Sequence, residues 1–271
     1  MKVPDQGETM RICRLAIVLM AIAVVAACGH TPTGPSPNAG SLPLVEETAT
    51  MRYYREADDS IDVAKQEAFN AWALDRLGIV LPQKVEYRKY RSREAMARYT
   101  GIANTNGFAE PSLWRIHTIW PDDNHEVVHV FTAVIGRPSD FFNEGIAVSF
   151  QTYPGRGDFT VKFNGQQVHE ACRIALQSGT LPLPLSRYVT TAGFRGIADP
   201  SSQLALWELS YRMAGSFVLH LTERFGLPAV LRFFQTGNRD ESLGTIRARI
   251  QSVFGVSLED VESSWLTLLR M

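Results

Sequence analysis

Apolar residues recur at helical spacing along "DDSIDVAKQEAFNAWALDRLGI" (58–79), which predicts a helix closed by Gly78. "KVEYRKY" (84–90) instead alternates apolar and polar positions, as a half-buried strand does. "SREAMARYTG" predicts a short helix between Ser92 and Gly101, and "LWRIHTIWP" (113–121) a second strand. "YPGRGDFTVKFNG" (153–165) reads as a hairpin or an irregular loop, and 180–201 as loop-rich. Between them, "QQVHEACRIALQSG" predicts a helix ending at Gly179. From "LALWELSYRMAGSFVLHLTERFG" (204–226) to the last residue the pattern is almost entirely helical. No internal repeat interrupts this order. The expected class is α+β, with a mixed N-terminal part followed by a helical C-terminal part.

The middle of the chain adds chemistry to the pattern. In "PDDNHEVVHVFTAVIGRPSDFFNEGIAVSFQ" (121–151), Asp123 suits a helix N-cap, and Glu126 follows at capping-box spacing. Gly136 and Pro138 supply the stop, so a helix is expected from about Asp123 to Ile135. At 3.6 residues per turn His125 and His129 share one face, while Glu126 is rotated roughly 100° from His125. Two imidazoles one turn apart can reach one ion; Glu126 can flank a water beside it. A second helix starts at Ser139 or Asp140 and carries Glu144. His129 lies ~10 Å of rise before Gly136, and Glu144 ~7 Å into the second helix, so the two heights match. His125, His129 and Glu144 with one open position are the donor set of a catalytic zinc site. The plainer reading is a capping box with surface histidines. Glu126 cannot both fold back onto the helix start and face a metal.

Composition limits the function. The 271 residues carry a net charge of -1 with 45% hydrophobic residues, compatible with one packed domain and without the basic excess of a nucleic-acid binder. The basic run at Arg88, Lys89, Arg91, Arg93 and Arg98 reads as solvated surface. Arg11 and Arg14 precede thirteen apolar residues, Leu15 to Ala27, too few to span a bilayer and suited to a signal-peptide core. Asp5 and Glu8 are unusual before such a core, which leaves Met1 and Met10 as alternative starts. "VAAC" (25–28) resembles the bacterial lipobox, which implies lipidation of Cys28; an ordinary small-x-small cleavage is the alternative. Cys13 would leave with the leader, so Cys172 would be the one thiol left and no internal disulfide is expected. The expected organisation is a signal peptide at 1–27, a Pro/Gly/Ser-rich tether at 28–45 and one domain at 46–271.

"HEVVH" followed by "NEGIA" resembles the gluzincin metallopeptidases. Thr132 and Ile135 stand where the metzincin extension needs Gly and His. The fourteen residues between His129 and Glu144 are similar to the compact peptidase MA-like group. This resemblance implies a zincin-like fold, with a small β-containing N-terminal lobe, a mostly helical C-terminal lobe and Zn²⁺ between them. It implies His125, His129 and Glu144 as ligands and Glu126 as general base. "SYRMAGSFVLHL" is similar to a helix on which related enzymes place an oxyanion-binding tyrosine, here Tyr211, although Ala214 and Gly215 exchange the two small residues of that motif. "GFAEP" (107–111) lies at the expected substrate-edge strand, and its Gly107 and Glu110 resemble a signature for binding a substrate N-terminus. The expected activity is hydrolysis of peptide or protein substrates by a lipid-anchored protein of the bacterial cell envelope. A non-catalytic envelope lipoprotein on the same scaffold is the alternative, and hydrolysis of another amide or an ester a third.

Overall fold

The computed structural model describes residues 42–152, 160–199 and 203–271. The expected leader, Cys28 and most of the tether lie outside them.

A five-stranded sheet in the order β1-β2-β3-β5-β4 forms the first half. Its strands are β1 (Leu44–Glu47), β2 (Met51–Arg55), β3 (Val85–Lys89), β4 (Gly107–Glu110) and β5 (Arg115–Thr118). β2, β3 and β5 run parallel, with β1 and β4 antiparallel at the two edges. Parallel neighbours need crossovers, and two helices supply them: α1 (Val63–Leu77) and α2 (Arg93–Thr100). The register aligns Tyr53 with Tyr87 and Tyr87 with Ile116, so these buried side chains share one face. α1 and the metal-motif helix α3 (Asn124–Thr132) cover that face. Alternation puts Gly107 and Ala109 of β4 there too, opposite Thr118 and Ile116, and turns Phe108 and Glu110 to the other face.

The described residues begin at 42, inside the stretch expected as tether (28–45). β1 begins at Leu44, and Leu42 is buried beside Tyr90 and Met96. Pro43 and the exposed residues of a short edge strand hide this start, because neither composition nor alternation marks it. α3 ends at Thr132, and tighter turns continue it to Gly136.

The second half is helical. α4 (Asp140–Phe150) crosses the long helix α7 (Leu204–Phe225), and α5 (Val168–Gln177), α6 (Thr191–Arg195), α8 (Leu227–Gln235), α9 (Leu243–Phe254) and α10 (Leu258–Arg270) close around them. The α4–α7 crossing is very close. A Cβ on Gly145 would stand 2.7 Å from the Ala214 carbonyl oxygen and 2.5 Å from Val218 Cγ2. One on Gly215 would stand 2.3 Å from Val148 Cγ1. Small residues at both positions therefore set the helix separation and the height of Glu144. Burial of Phe141, Phe142, Phe217, Phe233 and Trp265 around the crossing supplies its main stabilisation, of order 2–3 kcal/mol per ring.

Between α4 and α5, β6 (Lys162–Phe163) and β7 (Gln166–Gln167) pair antiparallel. Asn164 and Gly165 connect them at φ 48° and 77°, the two-residue turn that Asn-Gly favours. Among the described residues no helix is long and apolar enough to cross a membrane.

Candidate metal centre

α3 starts at Asp123, whose side chain accepts the backbone N–H of Glu126 (3.2 Å) and the Thr118 hydroxyl (2.7 Å). This ties the helix to the end of β5. α4 is held equally firmly. Asp140 in its first turn pairs with Arg195 (2.7 Å) and Arg239 (2.8 Å), and its backbone N–H bonds Thr191 Oγ1. Glu241, paired with buried Arg249, accepts the N–H of Ser139. Both helices thus enter the centre with fixed starts.

His125, His129 and Glu144 meet there. His125 Nε2 lies 3.1 Å from Glu144 Oε2, His129 Nε2 lies 3.3 Å from it, and the two nitrogens are 3.2 Å apart. A tetrahedral ion with bonds of ~2.0–2.1 Å separates its donors by ~3.4 Å. The three donor atoms are already at that spacing, and the chemistry of the set, two imidazoles and a carboxylate, suits a divalent ion. Burial opposes charge on His125, but the hydrogen bond and charge of Glu144 outweigh it and lift the imidazole to about 9. Burial likewise opposes charge on Glu144, yet His129 and His125 hold its carboxyl far below the usual range. A metal ion among these groups would take the place of the proton on each ligating Nε2.

Each imidazole is braced through its other nitrogen. His125 Nδ1 lies 2.9 Å from Gln151 Oε1, and Gln151 Nε2 donates to the Lys162 carbonyl. His129 Nδ1 lies 3.1 Å from the Asn143 side-chain amide. A histidine that binds metal through Nε2 carries its proton on Nδ1 and donates it, so the Gln151 oxygen has the needed polarity. Asn143 faces its ring with Nδ2, and a half-turn of that amide would present the oxygen, the polarity a metal-bound ring needs. Sequence reasoning did not single out these two amides. Asn143 stands inside the quoted Asn-Glu-Gly stretch; Gln151, seven positions past Glu144, carries no pattern of its own.

Glu126 stands beside the triad. Burial raises its pKa first and the charge of Asp123 second, with His125 and His129 opposing. Its carboxylate makes no hydrogen bond among the described residues. Gly107 of the edge strand comes close: a Cβ there would stand 3.2 Å from Glu126 Cγ and 2.9 Å from Asp123 Oδ2. Glu110 is different. On the opposite face of β4 it hydrogen-bonds His117 Nε2 (2.9 Å), whose Nδ1 meets the Tyr90 hydroxyl (2.8 Å). Gly107 is therefore near the centre, and Glu110 belongs to a hydrogen-bonded group on the far side of the sheet.

Tyr211 lies where α7 passes the triad, its ring 6.2 Å from that of His125. It stacks on Phe163 (5.2 Å) and touches Trp207 (5.2 Å). Phe163, delivered by the Asn-Gly turn, also faces His125 (6.3 Å). An aromatic wall thus flanks the His125 side of the centre. Cys172 is buried with its thiol pushed up to about 12 by desolvation, an inert position.

Compared with protein-family models, curated proteins and solved structures, the chain matches none of them.

Proposed function

We propose that this protein is a zinc-dependent metallopeptidase of gluzincin type, with a zincin-like division between the sheet-bearing lobe and the helical lobe. The observation that carries this reading is one juxtaposition: three donors at tetrahedral spacing, with the carboxylate of Glu126 within electrostatic reach of all three and without a hydrogen bond among the described residues. A site built only for structure would be closed by four protein ligands and would have no use for an adjacent free base.

His125, His129 and Glu144 would hold the ion. Zinc bound there supplies Lewis acidity, polarising a carbonyl and making a water acidic near neutral pH. Glu126 takes the proton from the attacking water and delivers it to the leaving amine. Its raised pKa brings it nearer the range where it can do both. Tyr211 donates a hydrogen bond to the developing oxyanion. β4 is the outer strand of its sheet, so an extended substrate can pair along its free side. The lipobox at Cys28 would tether this activity to a membrane of the bacterial envelope.

The test is a cleavage profile on a peptide library, wild type against Glu126→Gln, with zinc measured on both proteins. The expected result is about one zinc per chain in each and cleavage by the wild type alone. A wild type that binds zinc and cleaves nothing would sink the peptidase assignment.

A further inference from the structure

We infer that Gln66 is a positioning residue that keeps Glu126 off its own helix cap and leaves its carboxylate at the metal centre; this rests on the peptidase reading above. Asp123 and Glu126 occupy the N-cap and third positions of α3, where a glutamate ordinarily folds back to accept the N-cap backbone N–H. Here that N–H is already used. It donates to Gln66 Oε1 at 2.9 Å.

The orientation of Gln66 is fixed from its other end. The side chain is completely buried, and Nε2 donates to Asn70 Oδ1 (3.1 Å) and Asn124 Oδ1 (3.4 Å). Its oxygen is thereby left facing Asp123. The surrounding turn of α1 is pinned as well, because Glu67 accepts hydrogen bonds from Thr48, Thr50, Tyr53 and Asn70. A buried acceptor satisfied at this distance outcompetes a carboxylate that would have to turn away from two imidazoles.

The same amide chain reaches a ligand. Asn124 Nδ2 donates to the Gln151 carbonyl (3.0 Å), and Gln151 Oε1 is the partner of His125 Nδ1. Gln66 therefore touches both the residue that caps the motif helix and the network that braces His125. It contacts neither the ligand atoms nor the reacting space, so its action is through Glu126.

Gln66→Met removes the acceptor at similar volume. In a crystal structure of Gln66→Met the Glu126 carboxylate is expected within about 3 Å of the Asp123 N–H. The kcat on a library-derived peptide should fall on the order of 10- to 100-fold, with KM and zinc content unchanged. If Gln66→Met does not fold, Gln66→Asn, one methylene too short to reach Asp123, carries the same expectation. An unmoved Glu126 with unchanged kcat overturns the inference while the peptidase reading stands. A Glu126 that swings in the variant of a protein that cleaves nothing upholds the positioning role and removes the peptidase reading.

Discussion

Two helix starts in this molecule have nearly the same local sequence logic and opposite outcomes. α10 begins Ser257-x-x-Asp260 and closes a full capping box: the Asp260 N–H donates to the Ser257 hydroxyl oxygen (3.0 Å), and Asp260 Oδ2 accepts the Ser257 N–H (3.3 Å). α3 begins Asp123-x-x-Glu126 and closes half of one. Its N-cap side chain accepts Glu126 N–H, but the return bond goes to Gln66. The carboxylates differ accordingly. Hydrogen bonds from Ser257 pull exposed Asp260 down, whereas burial pushes Asp123 and Glu126 up. At α10 the third residue serves the helix. At α3 the helix start is satisfied from outside, and the third residue is left without that bond.

The largest expected contrast follows from that division. Glu126→Gln should lower kcat by about 10²–10⁴, some 3–5 kcal/mol of barrier, with zinc retained and little change in Tm. Asp260→Asn should leave kcat unchanged and shift only Tm. Equal kcat losses at the two positions, or none at either, would break the comparison. Next in size is metal removal. At a free zinc concentration 100-fold above Kd the bound ion adds about 2.7 kcal/mol. Chelation should remove that stabilisation and lower Tm in the wild type, and change Tm little in His129→Ala. Amide exchange should rise at α3 and α4 and stay unchanged at α10; uniform deprotection would contradict a local site.

The caps themselves come third. Asp123→Ala strands the Thr118 hydroxyl and the Glu126 N–H in buried surroundings, a cost of about 2–3 kcal/mol. Ser257→Ala removes a half-exposed cap for about 1 kcal/mol. Denaturant titrations of both variants rank them directly, and an inverted order would place the stronger cap at α10.

How far the sequence could carry this is visible at the same two helices. Periodicity and caps are local, so α3, α4 and the convergence of His125, His129 and Glu144 follow from a few turns of chain. The mixed α+β order is legible for the same reason. Capping-box spacing is equally legible at 123–126 and 257–260, but which box closes depends on Gln66, far upstream on another helix. No local pattern marks an interior glutamine as an acceptor. Gln151 is hidden in the same way, since its role appears only when β6 and His125 meet. Glu110 shows the converse: its spacing from Gly107 suggested one site, but residues three apart on a strand point to opposite faces. The order Ala214-Gly215 follows from packing: a Cβ at 215 would stand 2.3 Å from Val148 Cγ1, so the crossing with α4 takes glycine at that position.

Acid gives the smallest and most specific contrast, confined to α10. Asp260 has a folded pKa below its ordinary 3.8 because Ser257 donates to its charged form. A carboxylate with a depressed folded value stabilises above the unfolded pKa and loses that contribution as pH falls through the folded one. The box should therefore be at full strength above about pH 4 and open on further acidification. Protection factors of the amides at 259–261 should fall over that range in the wild type. In Asp260→Asn they should already be low at neutral pH and stay flat. The α3 amide of Asp123 faces a neutral glutamine oxygen, so the bond that replaces the missing half of its box has no titrating acceptor. Acid loss of protection at 259–261 that persists in Asp260→Asn would mean that the closed box is not what orders the start of α10.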